Sequence, residues 1–305
     1  VQGRFISKIK NKKNIWMRKT IPLPTTIWDR SFDMTRDQRQ QLLKRGVKFI
    51  NTLEFAKIAT DKFKTYRILL PFLTKQNSFA QPETLAYSIN NVLKLLQKYN
   101  YVFLKPQTGS KGRGIFSIKK LGNNFVLNKN KPITKKTLIK KISLLAKQEK
   151  YLVQRGVKVL TVGRVPFDIR VLVQRSENNL VQANYASRIA GKNQITTNIH
   201  SGGFAQTTQY ILKKIGWTKR ERSIINNKIK HFSLELHKFF EEYIHQPIME
   251  FALDLVIDEN RQIYLLEINA RPGREIFQII NKRIGDLTFS SPLKYIKYIL
   301  YSTQK

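Results

Sequence analysis

The sequence predicts an α+β protein, and three stretches carry that reading. Residues 249–258 (MEFALDLVID) and 263–274 (IYLLEINARPGR) are β-branched and aliphatic runs around the polar break 258–261, the pattern of a β-hairpin whose strands alternate faces. From residue 99 to residue 190 the texture is that of short strands separated by glycine and polar breaks. Residues 219–244 hold Ile224, Ile225, Ile229, Phe232, Leu236, Phe239 and Phe240 on one side of a long amphipathic helix, a stripe that core packing explains without a cofactor. At 305 residues the chain can bury a sizeable core, as about two domains or one multi-lobed unit.

Taken in order, residues 1–20 interleave Phe5, Ile6, Ile9, Ile15 and Trp16 with basic residues, which reads as a strand pair or as an arm on an anionic surface. Residues 21–30 (IPLPTTIWDR) are a proline-punctuated crossing ending in a polar pair, Asp29 and Arg30, read as exposed. Residues 35–43 read as a helix capped by Thr35, and 52–63 as a second helix. Pro71 then breaks the chain, and a further helix spans 81–98 with Pro82 near its start. Strands follow at 101–106 and 115–119, a helix at 134–147, and strands at 151–157, 166–175 and 180–190. Closing helices are expected at 275–284 and 292–301. We find no internal repeat.

Composition narrows the function classes. With 41% hydrophobic and 11% aromatic residues the chain is globular, and the absence of cysteine removes disulfides, thiolate zinc sites and cysteine nucleophiles together. No apolar run approaches the ~18 residues of a membrane span, and no secretory signal pattern is visible, so a cytoplasmic location is expected. The chain opens at Val1 without an initiator methionine, consistent with a trimmed start. Lys and Arg number 56 against 20 Asp and Glu, a net charge of +36. An A/T-rich coding bias would raise Glu alongside Lys, and Glu is scarce. An excess this large predicts attraction to a polyanion: an acidic peptide, an anionic coat polymer, a membrane surface or nucleic acid, although no nucleic-acid module signature is present.

The hairpin carries the sharpest chemistry. Glu267 and Asn269 lie two residues apart and share a face. If Ile257 pairs with Gln262, Asp254 falls opposite Leu265 on that face, diagonal to Glu267, whereas a connection of odd length would place it on the other face. Two carboxylates and an amide oxygen are hard donors that suit Mg²⁺; the plainer alternative is a strand-ending Asp254 and an edge-strand charge at Glu267. Residues 107–114 (QTGSKGRG) join two strands as a glycine-rich turn, either an ordinary basic hairpin or a loop whose backbone approaches phosphate oxygens; the spacing is not the Walker pattern. Asp168 and Arg170 alternate onto one strand face, as a structural pair or as a cation for a transferring phosphoryl group. Gln154–Gly156 interrupts its strand as a hinge would. In the polar loop 196–204, His200 reads as a neighbour of the site and not as a catalyst.

Together the order is Lys105 before GSKGRG, a Gln154 hinge, D-x-R, an N-x-x-S-G-G loop, Asp254, and E-x-N-x-x-P-G. This order resembles the ATP-grasp fold and, through PLPTTIWDR and FLKPQTGSKGRGI, more closely the YheC/YheD family of endospore coat-associated ATP-grasp proteins, over roughly residues 21–278. The resemblance implies a smaller N-terminal region (1–80) before two α+β lobes (81–155 and 156–305) that grip MgATP between antiparallel sheets. It implies nucleotide contacts by Lys105, by the loop Ser110, Lys111, Gly112, Arg113 and Gly114, by the hinge Gln154, Arg155 and Val157, and by Asp168. It further implies magnesium, or manganese, on Asp254, Glu267 and Asn269, and catalytic roles for Arg170, Asn198 and Arg271. The hinge lacks the ribose carboxylate of many relatives and has Arg155 and Lys158 instead. The activity implied is ADP-forming carboxylate–amine ligation through an acyl phosphate, on an acidic peptide or anionic polymer, in spore formation and at the spore coat. The alternative is a non-catalytic ATP-grasp protein that docks on a polyanion through its basic surface.

Overall fold

The basic first twenty residues include a strand pair: β1 (Gln2–Ser7) and β2 (Ile15–Thr20) run antiparallel in the computed structural model, from Gln2 opposite Thr20 to Ser7 opposite Ile15. The structure describes residues 2–7, 15–20, 22–30, 34–51, 53–109, 112–128, 130–145, 150–191 and 203–302. β3 (Thr26–Trp28) and β4 (Lys48–Ile50) pair in parallel around α1 (Arg36–Lys44). Thr35 caps α1 as expected, in a reciprocal capping box with Gln38. Asp29 is a correction: it is buried, and Arg39 Nη1 donates to its Oδ2 at 3.0 Å, since a charge leaving water needs a partner. These elements belong to one compact unit, Val1–Thr52.

The second unit, Leu53–Lys305, opens with α2 (Leu53–Thr60) and α3 (Lys62–Leu73), where one helix over 52–63 was expected. Asp61 makes the break: its carboxylate caps α3 by accepting from Lys64 N at 2.9 Å. Pro71 sits inside the last turn of α3, held there by the buried Leu69 and Leu73 on either side. β5 (Phe79–Ala80) and β6 (Thr84–Ala86) precede α4 (Ile89–Tyr99), which starts at Ser88 and ends at Asn100 with φ 57°. The helix expected over 81–98 therefore begins only at Ile89, because Thr84 to Ala86 pair as a strand with Gln154 to Leu152.

β7 (Tyr101–Pro106), β8 (Phe116–Leu121), β9 (Asn124–Leu127), α5 (Lys135–Leu145) and β10 (Tyr151–Arg155) complete a five-stranded antiparallel sheet in the order β6-β10-β7-β8-β9. Its core joins Val92, Leu95 and Leu96 of α4 and Leu138 and Ile142 of α5 to Val102, Leu104 and Val153.

The larger sheet follows. Its strands are β11 (Thr161–Val162), β12 (Val165–Arg175), β13 (Val181–Ile189), β14 (Phe204–Gln206), and, after α6 (Thr208–Lys214) and α7 (Lys219–Ile244), β15 (Glu250–Ile257) and β16 (Ile263–Asn269). Among the described residues the order is β14-β13-β12-β15-β16-β5, with β11 beside β12 and β5 the parallel partner. One face buries Ile169, Val171, Val173, Leu253 and Leu255 against α7 and α2. α7 has the predicted bounds, capped by Thr218 and Glu221, and Ile225, Ile229, Phe232, Leu236 and Phe240 are its buried stripe, each contributing about 2 kcal/mol by burial. Ile224 is exposed.

Among the described residues, the opposite face is covered along part of its length. Leu172, Ala186 and Ala252 pack on Ile276 and Phe277 of α8 (Glu275–Ile280), and Gln174 reaches Thr288 of α9 (Lys282–Ser302). α9 runs through Pro292, where a new helix was expected, because Thr288, Ser291, Pro292 and Tyr295 together form its buried side. Toward the other end of that face stand Asp168, Arg170, Arg188, Asp254 and Glu267.

Candidate functional site

Strand register assembles the site. Arg170 of β12 stands opposite Asp254 of β15, Asp168 opposite Arg188 of β13, and Asp254 opposite Glu267 of β16. The hairpin register differs from the expected one: Ile257 pairs with Ile263, which by strict alternation would set Asp254 opposite Leu266 and turn Glu267 to the other face. A β-bulge between Asp254 and Leu255 takes up Leu266 as an extra residue, so that Asp254 faces Glu267 directly and Ala252 faces Asn269.

The side chains form one charged group. Arg170 grips Asp254 with two bonds, Nε to Oδ1 and Nη2 to Oδ2, both 2.8 Å. Arg188 grips Asp168, with Nε 2.8 Å from Oδ1, and its Nη2 lies 3.0 Å from Asp254 Oδ2. Asn269 Nδ2 is 3.4 Å from both Asp254 Oδ2 and Glu267 Oε1. Asp168 and Arg170, which share a strand face, thus bind other partners and not each other. Burial disfavours charge on Asp254, but Arg170 and Arg188 outweigh it and hold the carboxyl well below its ordinary range. Burial and the adjacent Asp254 charge push Glu267 up, against Lys62 and Lys105.

Beside Glu267 a cleft, part of it open to solvent, lies between the two sheets. Leu152 and Gln154 of β10 and Lys105 of β7 line one side, Leu265 to Ile268 of β16 the other, and Ala59, Lys62, Thr65 and Tyr66 the end. Lys105 Nζ donates to Gln154 Oε1 at 2.7 Å, and Gln154 Nε2 donates to Thr84 Oγ1 at 2.9 Å. Burial pushes Lys105 down to about 8, against Glu267 and with a further push from Lys62.

The remaining predicted residues fall as follows. Gly112 and Gly114 take φ of 71° and 70°, a backbone region open to glycine, and Arg113 between them is exposed. Arg155 is not among the residues that line the cleft; its guanidinium lies over the ring of Tyr99 at 4.8 Å and over that of Tyr264 at 5.5 Å. Val157 is buried with Val256 and Tyr264. Arg271 is half-buried in the turn after β16. Ser110, Lys111, Asn198 and His200 lie outside the described residues.

Two residues went unassigned in the sequence. Lys62, at the start of α3, donates from Nζ to Gly109 O at 2.8 Å in the glycine-rich loop, while Asp61 accepts from Gln107 Nε2 at 2.9 and 3.0 Å. Its only signal was a lysine directly after a helix-capping aspartate. Arg188 was visible as a cation inside an apolar strand, a placement that calls for a carboxylate partner.

The two carboxylates and the amide fit a hard divalent cation. They lie in register on adjacent strands, and a cation would relieve the repulsion between Asp254 and Glu267 that adds to burial in raising Glu267. Among the described residues no group of three or more His, Cys, Asp or Glu side chains is placed to hold a metal ion, so a cation on Asp254 and Glu267 would need further oxygens from water or phosphate.

Two sheets gripping such a cleft define the ATP-grasp fold. D-alanyl-alanine synthetase A of Vibrio cholerae shares it at TM-score 0.52 and 14% identity, over 77% of this chain and 63% of that one. The ADP complex of N5-carboxyaminoimidazole synthetase from Staphylococcus aureus does so at TM-score 0.51 and 14% identity, over 81% of this chain and 54% of that one. The sequence profile described as YheC/D like ATP-grasp matches residues 46–299, and the chain belongs to that family. Its relatives in Bacillus subtilis include the endospore coat-associated proteins YheD, 26% identical over 94% of this chain, and YheC, 23% identical over 95%. The chain spans 66% of the length of YheD, just under two thirds, and 81% of YheC.

Proposed function

We propose that this chain is an ATP- and Mg²⁺-dependent carboxylate–amine ligase that works through an acyl phosphate on an acidic peptide or another anionic polymer. The observation that carries the reading is one cleft in which Lys62, Lys105 and Glu267 meet an apolar wall, with Asp254 and its two arginines across from Glu267. We place the two lobes at 81–155 and 156–305, with 1–80 before them and its residues 53–80 packed into the larger core.

Leu152, Leu265, Leu266 and Ile268 offer the apolar surface a nucleobase needs, and Lys62 and Lys105 offer the cations that triphosphate charge needs. The loop through Ser110, Lys111, Gly112, Arg113 and Gly114 closes over the phosphates. Asp254, Glu267 and Asn269 would hold Mg²⁺, or Mn²⁺ in its place, which when bound neutralises phosphate charge. In the reaction a carboxylate oxygen bonds to the terminal phosphorus as the bond to the ADP oxygen breaks. An amine nitrogen then bonds to the acyl carbon as inorganic phosphate leaves and the amine proton passes to solvent. Arg170 and Arg188 stabilise charge on the transferring group, and Asn198 and Arg271 position the acceptor. Such a transfer rests on positioning and charge and needs no covalent protein nucleophile, in keeping with a chain that has no cysteine. The names of the endospore coat-associated relatives YheD and YheC support a setting in spore formation, at the forming coat.

Thermal unfolding with and without MgATP tests this, on wild type and on Glu267→Ala/Asn269→Ala. A ligand at ~100 times its Kd stabilises the native state by about 2.7 kcal/mol, so a Mg²⁺-dependent rise is expected in wild type and not in the double variant. ADP release on addition of acidic peptides and amines is the second expected result. No shift at millimolar nucleotide overturns the reading. A shift without ADP release from any acceptor pool leaves the non-catalytic alternative.

A further inference from the structure

Between Glu83 and Glu149 the chain runs 65 residues without one acidic residue while carrying 13 lysines and one arginine. All 20 acidic residues lie in the other 240, about one in twelve, a rate that would put about five here. Coding bias toward lysine does not produce this gap, because it favours glutamate too. The stretch is a structural module: α4, β7, β8, β9 and α5, most of the smaller sheet and both its helices.

The lysines are set against the interest of their own helix. Lys135 and Lys136 occupy the first turn of α5, where the backbone dipole favours acids, and Lys136 and Lys140 repel at helical spacing. Lys131, Lys135, Lys136, Lys140 and Lys141 are all exposed, while Leu138 and Ile142 fix the opposite side of the helix to the sheet. Among the described residues, the ion-paired cation of this stretch is Lys98, with Glu83 just outside it. The same module carries Lys105, which lines the cleft.

We propose that this acid-free module, centred on the outer face of α5, is the docking surface for an acidic polypeptide, a chain of carboxylates. Two features favour that partner over nucleic acid. Thirteen of the fourteen cations are lysine, a point charge, and not arginine, whose planar fork suits phosphate and bases. None of the described aromatic residues of the stretch is exposed, so a single strand would find no stacking platform. Delivery of a carboxylate from the docked chain to the cleft rests on the ligase reading; docking itself does not.

The test uses fluorescein-labelled poly-L-glutamate in anisotropy titrations of the full chain across a salt series. Lys135→Glu/Lys136→Glu/Lys140→Glu is compared with Lys213→Glu/Lys219→Glu/Lys230→Glu, an equal change of net charge at exposed positions on α6 and α7. The expected result is a loss of affinity of about tenfold or more in the α5 variant and under about threefold in the other, with steep weakening by salt. Unfolding of both variants with MgATP verifies the fold and reports separately on nucleotide binding, so failure of docking and failure of the ligase reading are read in different channels. Equal losses in the two variants, or no binding at low salt, overturn the proposal. So does a single-stranded oligonucleotide of matched charge that displaces poly-L-glutamate at lower concentration.

Discussion

Lys105 has its charge in the most demanding surroundings of the cleft. Burial holds it at about 8, below the ~10.4 of an unfolded lysine. Between those values the unfolded chain keeps a proton that the folded chain has released, so this group's contribution to stability rises with pH across that window. Phosphate binding needs the charged form and runs the other way. The MgATP-induced rise in Tm is therefore expected to shrink as pH passes from about 7 to about 9.5, with proton uptake on binding above about 8. Lys105→Met should weaken binding at every pH and flatten that profile; a wild-type profile that is already flat would place the lysine outside the nucleotide contacts. The residues hidden from sequence reading have a physical reason in common. Arg188 meets Asp168 across a strand pair twenty positions apart, and Lys62 meets Gly109 from a helix that reads as part of a preceding region, so both roles exist only once tertiary register is set.

Among the elements, β10 leaves its sheet through a close approach. Gly156 N donates to Tyr101 O at 2.8 Å, and a Cβ at Gly156 would lie 2.2 Å from Cδ1 of the Tyr101 ring. Gly156→Ala is expected to cost about 1–3 kcal/mol in urea unfolding, the range for forced overpacking. Tyr101→Ala should then recover much of the loss in the double variant, since the two sites share one contact. Undiminished stability of Gly156→Ala would mean the strand exit can give way. Elements whose pattern is local were legible: α7 to the residue, the capped start of α1, and the strands 101–106 and 166–175 within a residue. Elements decided by a distant partner were not. Thr84 joins a strand because Gln154 is there to pair with it, Pro71 stays helical because its neighbours are buried, and the bulge at Leu266 has no turn residue to announce it. The identities of Asp254, Glu267 and Asn269 could be read, but their face-to-face arrangement could not.

At the scale of the molecule, one wall of the cleft comes from residues 53–80, through Ala59, Lys62, Thr65 and Tyr66. Phe55, Ile58, Leu69 and Leu73 lie in the large core, and Asp61 and Lys62 tie the glycine-rich loop. A chain starting at residue 53 is expected to unfold cooperatively and to keep the MgATP shift, whereas one starting at residue 81 should expose that core and aggregate; circular dichroism melts and size-exclusion profiles of the two check this. The reverse outcome would move the working boundary of the unit to residue 80. The stack of Tyr99, Arg155 and Tyr264 joins the small sheet to the large one where the chain passes between them. A guanidinium is flat and attracts a ring over a broad area, with about 0.5–1 kcal/mol at an exposed contact. A contact of that kind keeps its attraction as ring and cation shift sideways, whereas Asp61 and Lys62 hold the glycine-rich loop by directional hydrogen bonds. The small sheet is thus tied to the large core by two kinds of contact, one tolerant of a shift and one that fixes a position.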